Sequence, residues 1–104
     1  TLKVHRDSPY PNPLDSRKFA VVNIRFNVEY EKERSSCYAF MRIYDSTGKL
    51  VDYVVSDKLI LDRVDNTIQW NAKNLEQKSL GSGIYTYQLY VGNKRDSVKG
   101  TILI

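Results

Sequence analysis

One cysteine and one histidine are this chain's whole supply of the side chains that most often build nucleophilic and metal sites. A lone Cys37 forms no internal disulfide and completes no multi-cysteine zinc site. It reads as a small, buried or half-buried apolar side chain rather than a reactive thiol. His5 stands in a stretch that also holds Pro9, Pro11 and Pro13, and a catalytic base must be held within hydrogen-bond reach of its partner. A linker is a poor platform for that, so no enzymatic activity is expected. Long apolar runs are also missing, since nothing approaches the roughly 18 residues of a membrane-spanning helix. The five glycines are scattered along the chain and form no phosphate-cradling loop. Residues 1 to 20 show no basic segment followed by an apolar stretch and a small-residue cleavage site, so any export address is expected upstream.

What is present is the material of one folded domain. A chain of 104 residues, 41% hydrophobic and 12% aromatic, suffices for one modest core and not for two. The formal charge of +4 would suit an anionic partner. Lys and Arg are scattered among acids, however, as in Glu31-Lys32-Glu33-Arg34, which describes a solvated mixed surface. Asp45, Asp52, Asp57, Asp62 and Asp65 lack the alternating spacing and closing Glu of a calcium loop and are assigned to turns and strand edges. No metal or cofactor is expected. Eight tyrosines could stack bases on an OB-type barrel. Most fall at strand periodicity and are read as packing, so no nucleic-acid partner is expected.

Residues 1 to 18 read as a stiff connector, because its prolines fix φ and cannot donate to a sheet ladder; the domain proper is expected over 19 to 104. Val22, Ile24, Phe26, Val28 and Tyr30 alternate with polar residues, the period-two signature of a half-buried strand. A charged loop, Glu31 to Ser36, leads to a strand over Cys37 to Tyr44 with Ala39, Met41 and Ile43 facing the core. Asp45-Ser46-Thr47-Gly48 closes a hairpin, Gly48 supplying the left-handed residue, and Leu50 to Val55 returns. Ser56 to Asn66 is left unassigned. Thr67 to Trp70, Ile84 to Val91 and Ser97 to Ile104 are further strands, with Tyr85, Tyr87, Leu89 and Val91 on one side. Turn signals every 8 to 12 residues or so and no helical period predict an all-β, antiparallel Ig-like or FnIII-like sandwich of about seven strands. Trp70, able to bury roughly 200 Å², is expected to anchor its core.

Three blocks resemble a known family in order and spacing: Tyr10-Pro11-Asn12-Pro13; Met41 through Val51, with Tyr44, Asp45 and Gly48; and Trp70-Asn71-Ala72-Lys73-Asn74 through Ser82-Gly83-Ile84-Tyr85-Thr86-Tyr87-Gln88-Leu89. The family is the C-terminal Ig-like sandwich domain of type IX secretion system proteins of Bacteroidota, related to the Ig-like domain of flagellar hook-capping proteins. Lys99 before an apolar run resembles the family's closing strand, and implies that the chain ends at a natural C-terminus. Two departures stand out. Asn71-Ala72 replaces the usual Asp-Gly and Gln77 replaces a turn glycine, so the connection is expected to bend differently there.

The resemblance implies a sorting domain recognised by the outer-membrane secretion machinery and cut by its sortase in the linker. It would follow a parent protein, pass through the periplasm, and end at the cell surface, in the outer membrane or secreted. The candidate recognition residues are Pro11, Asn12, Pro13, Tyr44, Asp45, Gly48, Trp70, Gly83, Tyr85 and Lys99. The readout surface is expected on the final hairpin, Tyr90 to Ile104, with Lys94 and Lys99 guarding the edge. The alternatives are a retained interaction domain of a secretion-apparatus component or surface enzyme, touching protein or lipopolysaccharide, and a hook-cap-like module.

Overall fold

The period-two stretches of the sequence become strands in a computed structural model, which describes residues 2–4, 8–15, 21–28, 39–56, 66–91 and 97–104. Among the described residues there are seven: β1 (Leu2–Val4), β2 (Val22–Val28), β3 (Ala39–Tyr44), β4 (Leu50–Val55), β5 (Asn66–Trp70), β6 (Ile84–Val91) and β7 (Ser97–Leu103). No helix occurs among the described residues. Every pairing is antiparallel, in a three-stranded sheet of order β1-β2-β5 and a four-stranded sheet of order β4-β3-β6-β7. The architecture is the expected all-β sandwich.

The core lies between the two sheets and follows directly from alternation. Val22, Ile24 and Phe26 of β2 are buried against Ala39, Met41 and Ile43 of β3 and Tyr85, Tyr87, Leu89 and Val91 of β6. Trp70 closes it at 1% exposure, because β5 alternates Ile68 and Trp70 inward with Thr67 and Gln69 outward. Its burial removes roughly 200 Å² from water, worth on the order of 5 kcal/mol before other terms.

One expectation is overturned. The proline-bearing segment is not a connector standing off the domain, and the boundary at residue 19 does not hold. Leu2–Val4 pairs with Phe26–Val28, Tyr10 exchanges backbone hydrogen bonds with Asn23 at 2.9 and 2.7 Å, and Leu14 is buried in the core. The prolines do not forbid this, because the segment runs along a sheet margin, where a missing N–H costs no ladder bond. Tyr30, Cys37, His5, Lys94, the loop Glu31 to Ser36 and residues 57–65 lie outside the described residues.

Candidate functional site

Most of the residues singled out by the sequence gather at one end of the sandwich. The β3–β4 turn, the connection 71–83 and the last residues of β7 meet there, since Tyr44 pairs with Leu50 and Thr86 while Ile84 pairs with Leu103. Gly83 and Ile104 exchange backbone hydrogen bonds at 3.0 Å. The lead-in joins them. Leu103 donates its N–H to Asn12 Oδ1 at 2.7 Å and accepts from the Leu14 N–H at 2.7 Å, so residues 12 and 14 bracket one residue of an edge strand. Pro11 is buried beside them and Pro13 is exposed. Lys99 stands apart, exposed in the middle of β7 opposite Gln88.

Trp70 and Tyr85 meet edge to face, with ring centroids 6.0 Å apart. The Trp70 indole donates to Asp52 Oδ2 at 2.7 Å and, less directly, to the Lys73 carbonyl at 3.3 Å. The Tyr85 hydroxyl donates to the Gly81 carbonyl at 2.8 Å. Asp52 is 6% exposed and also accepts the Tyr53 N–H at 2.8 Å. Sequence reasoning placed Asp52 at a strand edge and missed this role. The available signal was an acid at an inward position of a strand otherwise built as Leu-Val-x-Tyr-Val-Val.

Two turns at this end share one plan. Asp45 Oδ1 accepts from the Thr47 and Lys49 N–H groups at 2.9 and 3.0 Å, the Asp45 N–H donates to the Lys49 carbonyl and the Gly48 N–H to the Asp45 carbonyl. Asn74 Oδ1 does the same for Glu76 and Lys78 at 2.9 and 3.0 Å, with matching backbone bonds to Lys78 and from Gln77. The fourth position is left-handed in both, Gly48 at φ 87° and Gln77 at φ 63°. Ala72, the other departure from the resembled family, also has positive φ, at 57°. Both departures thus stand at positions that hold the left-handed conformation glycine adopts freely.

The Thr47 hydroxyl, followed by the Lys49 N–H, holds the Asp45 carboxyl below its ordinary value. Burial pushes the Tyr87 hydroxyl up. Among the described residues no cluster of three His, Cys, Asp or Glu side chains could hold a metal. A groove of about 600 Å³ lies between β4 and β5, lined by Val54, Val55, Ile68 and Gln69 among others.

No protein-family model and no curated protein matches the chain. Solved structures do. The fold matches part of dimeric latent PorU from Porphyromonas gingivalis with a TM-score of 0.71 and 18% identity, over 98% of this chain and 9% of that one. It also matches part of PorZ, an essential surface component of the type-IX secretion system of the same organism, with a TM-score of 0.56 and 22% identity, over 98% of this chain and 11% of that one. The chain thus has the fold of a unit that makes up about a tenth of either neighbour.

Proposed function

We propose that this chain is a non-catalytic sorting module of type IX secretion, a sandwich read by the outer-membrane export machinery while joined to a parent protein. The observation that carries the reading is a coincidence of two independent likenesses. The fold is that of a part of PorZ, itself a type-IX surface component, and three sequence blocks resemble the C-terminal domains sorted by that system. The path would run through the periplasm to the cell surface, the outer membrane or the medium.

As a hypothesis, the readout surface includes β7, which is an edge strand of the larger sheet. Deleting residues 100–104 would be a poor test, because Ile102 is fully buried and Leu103 anchors the lead-in. Lys99→Glu changes the exposed edge without touching the core and is the better probe.

A second reading has one observation in its favour. Because residues 8–14 are bonded into the sandwich, a sortase would find its cleavable backbone upstream of Leu2 rather than among the prolines. A domain without such upstream linker would be retained as an interaction module of the apparatus or of a surface enzyme, meeting protein or lipopolysaccharide.

The deciding experiment fuses residues 1–104 behind a signal peptide and a fluorescent carrier in a type IX-competent bacterium. Surface or medium fluorescence that disappears in a secretion-deficient strain, with a new carrier terminus before Leu2, supports the cleaved sorting module. Export with the carrier still joined to the domain supports the retained one. A folded fusion left in the periplasm of the competent strain sinks the sorting reading.

A further inference from the structure

The outer face of the four-stranded sheet is divided in character. A solvated sheet face is ordinarily polar, and the middle of the β6–β7 half obeys, with Gln88, Ser97, Lys99 and Thr101 turned outward and Ile84 exposed only at its end. The β4 half does not. Leu50, Tyr53 and Val55 are 40, 46 and 48% exposed. Register sets Val55, Phe40 and Tyr90 side by side and Tyr53 beside Arg42. Phe40 is stacked on Tyr90 at 4.6 Å and 13°, and tilted against Tyr53 at 5.8 Å. A contiguous exposed patch of this kind on an otherwise polar face marks an interaction surface.

Its charge is one-sided. Among the described residues of this face the charged side chains are Arg42 and Lys99, and none is acidic. Arg42 is exposed, with its guanidinium 5.5 Å from the centroid of the Tyr90 ring. A planar guanidinium resting on an aromatic ring loses less freedom when it takes a carboxylate in two parallel hydrogen bonds. Arg and Tyr together, rimmed by apolar groups that exclude water, are the usual composition of a protein-binding hot spot.

We propose that this face docks a protein surface that offers a carboxylate to Arg42 and apolar side chains to Leu50, Tyr53 and Val55. A sugar is a poorer occupant, because Phe40 and Tyr90 turn their ring faces to each other. An anionic bilayer is poorer too, since two cations on a sheet face make a weak electrostatic anchor. The surface is independent of the β7 edge and of the secretion reading.

The test pans a phage-displayed random dodecapeptide library against the whole chain and titrates the enriched peptides against Arg42→Gln, Tyr53→Ser and, as a charge control, Lys78→Gln. The expected peptides carry Asp or Glu beside apolar residues. Their affinity falls about ten-fold or more on Arg42→Gln and on Tyr53→Ser and is unchanged on Lys78→Gln. Converting the peptide's acid to its amide weakens binding to the parent chain but not further to Arg42→Gln. Amide shift changes at Phe40, Tyr53 and Tyr90 on peptide addition locate the site without any variant. Enriched peptides lacking a carboxylate, or indifferent to Arg42, overturn the proposal. So does Arg42-dependent binding to phosphatidylglycerol vesicles with no peptide binding, which would assign the face to a membrane.

Discussion

Trp70 donates its indole N–H to Asp52 Oδ2 at 2.7 Å inside the core, joining the last residue of β5 to the middle of β4 across the two sheets. A buried indole N–H needs an acceptor, and a buried carboxyl group needs donors. Each satisfies the other, and the Tyr53 N–H supplies a second donor to Asp52. Trp70→Ala should therefore cost about 3–5 kcal/mol, from lost burial and the cavity left. Asp52→Ala should cost about 1–3 kcal/mol, by orphaning the indole and the Tyr53 N–H. In urea unfolding, a double-mutant cycle with Trp70→Phe and Asp52→Ala should return a coupling of roughly 1 kcal/mol or more. Additive losses would mean that the contact contributes packing alone.

Gly100 is fixed by Tyr87. The two are register partners on β7 and β6, and a Cβ built on Gly100 would overlap the Tyr87 hydroxyl and the ring carbons beside it. The aromatic ring thus occupies the space that a side chain would take, the arrangement by which glycine in a strand is compensated. Gly100→Ala should destabilise by about 1–3 kcal/mol through overpacking. Tyr87→Val alone should cost a similar amount by leaving the space empty. Combined, the two should lose less than the sum of the separate changes, a sub-additivity that thermal unfolding can read directly.

Gln77 does in one turn what Gly48 does in its twin. A left-handed non-glycine residue costs about 1–2 kcal/mol, whereas a glycine gives back roughly 0.5–1 kcal/mol through the freer unfolded chain. Gln77 is exposed and its amide oxygen accepts a long hydrogen bond from Asn71 Nδ2, at 3.5 Å, so Gln77→Gly should raise stability by up to about 1 kcal/mol. Ala72 is 7% exposed, and its methyl is worth about 0.8 kcal/mol of burial. Ala72→Gly should accordingly be close to neutral. Equal gains at both positions in urea unfolding would contradict this division.

Much of the sandwich is legible in the sequence because burial on one face leaves a period-two trace. β2, β3 and β6 carry that trace over six to eight residues each, and the Gly48 turn carries its own mark in a residue that tolerates positive φ. The pairing of Asn12 with Leu103 leaves none, because its partners are 91 residues apart and prolines mask the extended backbone between Tyr10 and Leu14. Asp52 is hidden for a different reason: a satisfied core acid and a surface acid have the same letter, and only the indole above it tells them apart. The aromatic outer face is likewise ambiguous in sequence, where Phe40, Tyr53 and Tyr90 look like any other strand residues until register brings them together.

The Asp45 turn carries a pH signature. Its carboxyl is held below the ordinary value of 3.8 by the Thr47 hydroxyl and the Lys49 N–H, so the folded state binds its proton less readily than the unfolded state. The stabilisation is fully present above pH 3.8 and is lost as pH falls through the lower folded-state value. The difference in unfolding midpoint between the parent chain and Asp45→Ala should narrow over that acidic interval. A constant gap from neutral pH to below it would show that the charged form is not what holds the turn.

The bracket that residues 12 and 14 place on Leu103 makes the lead-in a structural part of the sandwich, and its two halves separate experimentally. Leu14 is 4% exposed, so Leu14→Ala should cost about 2–5 kcal/mol, in the range of any core leucine. Asn12 is exposed and supplies a single acceptor, so Asn12→Ala should cost about 1 kcal/mol or less globally. Its effect should instead be local: amide exchange at Leu103 should quicken well beyond the change at Ile102, whose bonds face β6. Because the lead-in supplies β1 to the smaller sheet and Leu14 to the core, a chain lacking residues 1–15 should lose most of its stability. Retention of the full unfolding midpoint by that truncation would return the segment to the status of a linker.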